Sequence, residues 1–114
     1  MLNSGDIVEL DFGAPVGREA GFAHPAVVIT AQRILDAEPT VVQVVPLTST
    51  IRTFRSEIRI DPDRTNALDA PSAAQCQHIR AVSAGRIDHV RGNVGPLVLN
   101  QIREALALLL DLPG

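Results

Sequence analysis

The sequence of 114 residues contains no tryptophan, no tyrosine, three phenylalanines and one cysteine. With so few aromatic side chains, its core must be built from Val, Ile, Leu and Ala. The lone Cys76 excludes an internal disulfide, and no set of Cys and His residues has metal-ligand spacing. We therefore expect a chain that folds without a disulfide, a metal ion or a cofactor, as suits a reducing compartment.

Long apolar runs and targeting signals are also lacking. No stretch approaches the roughly 18 apolar residues of a membrane span. The first ten residues, MLNSGDIVEL, have no basic start followed by an apolar run. We expect a cytoplasmic protein without a membrane anchor, and its length fits one domain over residues 1–114.

Lysine is absent, so all ten basic side chains are arginines, and the net charge is −3. This balance argues against a protein that coats nucleic acid nonspecifically, because such proteins are usually basic. Any nucleic-acid site must then be a local arginine cluster, and the guanidinium fork suits phosphate groups. A GC-rich genome would also produce this arginine bias, so the composition alone leaves both explanations open.

The distribution of apolar residues predicts a mainly β fold. Short β-branched or alternating segments between Gly- and Pro-rich turns are typical of antiparallel strands. Such segments lie at 6–12, 25–30, 40–47, 55–60 and 73–82, with a strand or turn at 85–94. Polar loops are expected at 13–24, 48–54 and 61–72, and a short helical turn or loop at 31–39. Pro25 is compatible with a strand because it would stand at the first position.

The C-terminal stretch has helical periodicity instead. One face of a helix over 97–111 would carry Leu99, Ile102, Leu106 and Leu109. We therefore predict a small, mostly antiparallel β-barrel with a C-terminal α-helix packed on it. The apolar face of this helix is wide. Packing on the core explains most of it, and a dimer contact is the alternative for the remainder.

Two polar side chains stand at strand ends. His24 directly precedes the Pro25 strand, where it either fills a strand-entry position or points into a cleft. Thr48 closes the strongest strand and can offer its hydroxyl to a phosphate, although such a residue is more often part of a turn.

The segment QCQHIR holds further candidates. Strand alternation predicts that Cys76, His78 and Arg80 share one face. Because a buried charge needs a partner, that face should line a surface or a cleft.

Several short motifs occur together in a particular order. They are GDIVELDF at 5–12, Gly17-x-Glu19, PAVVI from Pro25, VVPLT ending at Thr48, and HIRAVS at 78–83. In this order and spacing, the whole chain resembles the MazF/PemK family of toxin endoribonucleases. The resemblance implies an SH3-like barrel with a C-terminal helix that works as a homodimer. It also implies metal-independent cleavage of single-stranded RNA, and neutralisation by a cognate, MazE-like antitoxin whose tail fills the RNA site.

The resemblance also implies roles for individual residues. Thr48 matches the family's catalytic threonine, Glu19 matches the acid of its first loop, and Arg80 lies on the strand that supplies a basic residue beside the cleft. His24 stands where the family typically has an arginine. We therefore expect His24 to act as general base or acid, since imidazole has a suitable pKa, and Thr48 and Arg80 to hold the phosphate. His78 is a second candidate proton carrier, and we expect Glu19 to orient His24 or to raise its pKa.

The loop at 49–56 is a candidate RNA-binding segment. Arg52 and Arg55 flank Phe54, which gives two phosphate contacts and one ring for base stacking. The alternative is a solvated loop with Phe54 tucked into the core. Gln77 and His78 complete the candidate RNA-binding residues.

Two other functions stay open at this point. Related CcdB-type toxins share the barrel but inhibit DNA gyrase without cutting RNA. A degenerate family member would keep the fold and antitoxin surface but lose activity through the change to His24.

Overall fold

Seven strands and two helices make up the computed structural model, which describes residues 1–11 and 23–113. The strands are β1 (Asp6–Asp11), β2 (Ala23–Val28), β3 (Val41–Thr48), β4 (Glu57–Ile60), β5 (Ser72–Gln75), β6 (Arg80–Ser83) and β7 (Ile87–Asn93). The helices are α1 (Gln32–Leu35) and α2 (Gly95–Leu109), and 3₁₀ turns lie at Cys76–His78 and Ala84–Arg86. The strands pair antiparallel in the order β4-β5-β3-β2-β1-β7, and β6 also pairs with β3. This sheet with its C-terminal helix confirms the predicted fold class.

Strand β3 is the centre of the sheet because it pairs with three other strands. One edge faces β2, with Pro46 opposite Ala26. The other edge is divided, since β6 pairs with residues 41–44 and β5 with residues 47–48. Pro46 falls between these two ladders, where the missing N–H of proline costs no ladder hydrogen bond.

The predicted strand at 73–82 is wrong as a single element. Leu47 pairs with Ala74 and Val44 pairs with Arg80, so six steps along this segment oppose only three along β3. The excess residues are taken up by the 3₁₀ turn at Cys76–His78. The predicted alternation therefore fails, because Cys76 is fully buried in the core while His78 and Arg80 are half-buried.

Buried aliphatic residues form two clusters on opposite faces of the central strands. The first lies between the sheet and α2 and includes Ile7, Val27, Val45, Leu47, Leu99 and Ile102. The second lies on the other face, against α1, and includes Val8, Leu10, Ala26, Val28, Val42 and Val82. Over the part of the chain that the structure describes, the core thus contains no aromatic side chain, as the composition predicts.

Helix α2 begins at Gly95 and ends at Leu109, two residues earlier at each end than predicted. Leu99, Ile102 and Leu106 are buried as expected, but Leu109 is exposed. The helix stops because Asp111 adopts a left-handed conformation and the Leu112 N–H donates back to the Ala107 carbonyl. The exposed leucines at the helix ends leave the dimer alternative open; they are Leu97, Leu108, Leu109, Leu110 and Leu112.

The segment at 85–94, predicted to be a strand or a turn, contains β7. This strand has seven residues and two bulges. Ile7 faces Gly92 and Val8 faces Val90, which leaves Arg91 as an extra residue. Gly92 itself lies tightly against the loop after β4, because an added Cβ would meet the carbonyl oxygen of Thr65 at 2.5 Å.

No helix in residues 1–11 and 23–113 is long and apolar enough to cross a membrane.

We predict that Gly92→Ala destabilises the protein. The new methyl would clash with the rigid backbone of Thr65 and Asn66, at a cost of about 1–3 kcal/mol in the free energy of unfolding. Gly85→Ala is the matched control, because the nearest atom to its added Cβ is the Ser83 hydroxyl at 3.7 Å. Urea unfolding of both variants checks this, and equal stabilities would contradict the close packing of β7.

Candidate active site

A cleft of about 310 Å³ lies where β2 begins and β3 ends. Its volume is at the lower end of the range for small-molecule sites. The lining residues are His24, Pro25, Leu47, Thr48, Ser49, Leu68, Asp69, Ala70, Ser72 and Arg91. The cleft therefore brings together two of the predicted catalytic residues, His24 and Thr48.

Pro25 explains why the sheet opens at this point. It is the third residue of β2, not the first as predicted. The Ile29 N–H bonds to the Gln43 carbonyl at 3.0 Å, so every second residue back along β2 would bond to β3 in the same way. Pro25 falls in that series but has no N–H to donate. The β2–β3 ladder accordingly ends at Ala26, and the strands are released from each other beyond it.

His24 and Thr48 face each other across this opening. Ala26 and Pro46 form the last pair of the ladder. His24 and Thr48 lie two residues further out on their own strands, so both side chains point to the same side of the sheet. The two strands thus bring an imidazole and a hydroxyl to the same cleft.

The environment of His24 favours the neutral imidazole. The side chain is half-buried, and burial lowers the pKa of His24 below its ordinary 6.5. The nearby carboxylate of Glu9 partly opposes this by raising the pKa. Near neutral pH the ring can therefore accept a proton, as a general base must.

Thr48 is half-buried with its hydroxyl group oriented by the backbone. The Thr48 Oγ1 accepts a hydrogen bond of 3.1 Å from the Thr50 N–H. Since the oxygen is the acceptor in that bond, the hydroxyl hydrogen can still be donated to a ligand oxygen in the cleft.

Arg91 provides a guanidinium on the cleft wall that the sequence reasoning missed. Its Nη1 donates to Glu9 Oε1 at 2.9 Å, and its Nη2 lies 3.4 Å from both Asp69 Oδ2 and the Ala67 carbonyl oxygen. The sequence gives no sign of this position of Arg91, because the bulge that places Arg91 there arises only from the pairing of β7 with β1.

The loop that carries Asp69 is held by a buried asparagine. Asn66 Oδ1 accepts bonds from the backbone N–H groups of Asp63 and Leu68, and its Nδ2 donates to the Asp61 carbonyl. Ala67 takes a left-handed conformation that turns the chain toward the cleft. The predicted turn segment at 61–72 is thus a structured wall of the site.

Three of the candidate RNA-binding residues, Arg52, Phe54 and Gln77, are connected to one buried carboxylate. The Glu57 side chain has no exposed surface, and its Oε2 accepts bonds from Arg52 at 2.7 Å and Gln77 at 2.6 Å. Arg52 also lies over the Phe54 ring at 4.8 Å. Phe54 is 53% exposed, so the alternative of a ring tucked into the core is wrong. Glu57 was not among the predicted site residues.

Other predicted residues lie elsewhere. Arg80 pairs with Val44, four residues before Thr48 on β3, and is not among the lining residues of the cleft. His78 is half-buried in the 3₁₀ turn, and Arg55 is exposed. Glu19 lies outside the residues that the structure describes. No group of three or more metal-ligating side chains occurs within residues 1–11 and 23–113.

Solved structures share this fold over nearly the whole chain. MazF from Deinococcus radiodurans matches with a TM-score of 0.80 at 23% identity, over 97% of each chain. A mycobacterial endoribonuclease solved with its cognate antitoxin gives 0.79 at 23% identity, over 100% of this chain and 99% of that one. The fold is therefore that of the MazF toxins.

Sequence comparison gives the family. The family model described as "PemK-like, MazF-like toxin of type II toxin-antitoxin system" matches residues 3–110. Endoribonuclease MazF9 of Mycobacterium tuberculosis is 33% identical, over 98% of both chains. The chain belongs to the PemK-like, MazF-like toxin family, and the resemblance predicted from its motifs is confirmed.

We predict that Glu57→Gln lowers the free energy of unfolding at pH 7 by about 1–3 kcal/mol, because hydrogen bonds to a buried charge are weakened. Burial, the largest influence, opposes ionisation of Glu57, but the hydrogen bonds from Arg52 and Gln77 and the charge of Arg52 hold its pKa below the ordinary 4.5. This stabilisation is fully present above pH 4.5 and is lost as the pH falls through the lowered pKa.

The difference between Glu57→Gln and the unchanged protein should therefore shrink below pH 4.5 in chemical denaturation. Asp61→Asn is the control, since the Arg59–Asp61 pair is exposed and contributes little. A stability difference that is independent of pH would contradict an ionised Glu57.

Proposed function

We propose that the cleft between the start of β2 and the end of β3 is the site where this endoribonuclease toxin cuts RNA. The observation that carries the proposal is the register that sets His24 opposite Thr48 beyond the last pair of the β2–β3 ladder. Membership of the family and the likeness to endoribonuclease MazF9 support RNA as the substrate.

The cleavage starts from the 2′-hydroxyl of the RNA. His24, held neutral by its partial burial, removes the 2′-hydroxyl proton as the oxygen attacks the adjacent phosphorus. The P–O5′ bond breaks, and the leaving 5′-oxygen takes up a proton from water, so the products are a cyclic phosphate and a 5′-hydroxyl end. Thr48 donates its hydroxyl hydrogen to a phosphate oxygen, where negative charge increases in the transition state. Such chemistry requires no metal ion.

We assign single-stranded RNA also to the surface formed by the 49–56 loop. The exposed Phe54 ring offers a stacking platform of a kind that unpaired bases use. Arg52 keeps this ring in place and is itself fixed by Glu57, so its role is to orient the platform, while the exposed Arg55 contacts phosphate. Gln77, also bound to Glu57, lies at the same surface.

Three predicted roles remain part of the proposal without a place in the described cleft. Arg80 would bind RNA phosphate further along β3, His78 is the second candidate proton carrier, and Glu19 would orient His24.

The toxin acts together with a cognate antitoxin in a type II system. We place the tail of this MazE-like partner over the RNA site, where it blocks the substrate. The toxin works as a cytoplasmic homodimer, for which the exposed leucines of α2 offer an apolar contact surface.

Incubation of the purified protein with total RNA in chelator should yield discrete fragments with 5′-hydroxyl ends. His24→Ala should lower the rate by about 10²- to 10⁴-fold, the usual contribution of a general base. Thr48→Val should also lower it, while Thr40→Val, at the exposed residue just before β3 begins, should not.

Each alternative predicts a different result in this assay. If His78→Ala abolishes cleavage and His24→Ala does not, His78 is the proton carrier. Intact RNA together with blocked DNA supercoiling would favour the gyrase inhibitor, and intact RNA without that effect would favour a degenerate toxin.

We predict an acidic limb in the pH–rate profile with its midpoint below pH 6.5, because protonated His24 cannot act as a base and burial lowers its pKa. Glu9→Gln removes the carboxylate that raises this pKa, so the midpoint should move further toward acid. Initial cleavage rates between pH 4.5 and 8 check both points. A midpoint that is unmoved in Glu9→Gln would contradict His24 as the titrating base.

A further inference from the structure

We propose that Arg91 binds a phosphate of the RNA in the cleft, and that Asp69 occupies the place of that phosphate while the cleft is empty. This inference rests on the proposed function of the His24–Thr48 cleft and adds a binding residue to it. It starts from the three contacts that Arg91 makes at the cleft wall.

The two carboxylates beside Arg91 differ in how firmly they are held. Glu9 is only 24% exposed and lies 2.9 Å from Nη1 of Arg91, which is 25% exposed. Asp69 is 97% exposed and lies 3.4 Å from Nη2. A long contact with an exposed carboxylate contributes little, and a partly buried, short one contributes more. Glu9 therefore fixes the guanidinium, and Asp69 can leave it.

The bulge in β7 aims Arg91 at the cleft. Arg91 is the extra residue between the Ile7–Gly92 and Val8–Val90 pairs, and bulges redirect side chains in this way. Gly92 next to it is packed against the backbone of Thr65 and Asn66. The bulge in β7 and the close packing of Gly92 thus fix the backbone from which the Arg91 side chain projects.

Arg52, another predicted phosphate-binding arginine, is engaged by protein groups. Arg52 is bound to Glu57 and covers the Phe54 ring. Among the residues described as lining the cleft, Arg91 is the one with a permanent positive charge. It shares that lining with His24 and Thr48, so a phosphate held by Nη2 would lie in the same cleft as both.

A purely structural role for Arg91 must also be considered, because its contacts join β1, β7 and the loop carrying Asp69. The two roles predict opposite effects of Asp69→Asn. If Arg91 has only a structural role, removing the Asp69 charge weakens the contact between β7 and the loop that carries Asp69, and RNA binding falls. If Arg91 binds phosphate, removing Asp69 takes away a competitor and a repelling charge, so RNA binding rises.

The experiment measures binding and cleavage with the full-length protein. The probe is a single-stranded oligonucleotide with the mapped cleavage sequence and a 2′-deoxy sugar at the attacked position, so that it binds but is not cut. Arg91→Gln should weaken binding by about 10- to 100-fold, the worth of hydrogen bonds to a charged group. Asp69→Asn should strengthen it by about 2- to 5-fold, as expected for an exposed pair.

Salt dependence gives a readout that a structural tie would not change. Loss of one phosphate contact should reduce the slope of log affinity against log salt by about 0.7 for Arg91→Gln. Arg91→Lys keeps the charge and should keep this slope. Arg33→Gln and Asp36→Asn are charge-matched controls in and just after α1, at the opposite end of β2 and β3, and should leave binding unchanged.

The outcomes separate this inference from the proposed function. If the unchanged protein cuts RNA but Arg91→Gln keeps the affinity and the salt slope, the assignment of Arg91 is overturned and the cleft function stands. If Asp69→Asn weakens binding, Arg91 is a structural tie. If the unchanged protein neither cuts nor binds RNA, both proposals fail. The thermal unfolding temperatures of Arg91→Lys and Arg91→Gln show whether weaker binding comes from a lost RNA contact or from an unfolded protein.

Discussion

The divided edge of β3 is the constraint on which the rest of the structure depends. One strand must pair with β2 on one side and with β6 and β5 in succession on the other. Pro46 occupies the point of division, and Pro25 ends the ladder on the β2 side. Two prolines thus decide where the sheet may open, and the cleft lies at the opening.

Electrostatic balance in the cleft depends on Glu9. It lies beside Arg91, which it holds by a short ion pair, and it acts on His24, whose pKa it raises against the effect of burial. A single carboxylate behind the lining therefore influences both Arg91 and His24.

The sequence predicted the strands and the final helix because apolar periodicity records which side chains face the core. It also indicated two residues that line one cleft, His24 and Thr48, since both stand at strand ends beside a recognisable motif. It failed at 73–82, where the composition is strand-like but the register along β3 forces a turn at Cys76–His78. Arg91 and Glu57 were missed because a bulge and a buried ion pair arise from pairing between distant segments.

The break at 73–82 places the one sulfhydryl group of the chain fully inside the core. Burial raises the pKa of Cys76 to about 11, so the thiol stays protonated and lacks the thiolate needed to react with peroxide or glutathione. Oxidants thus have no chemical access to the protein through its thiol.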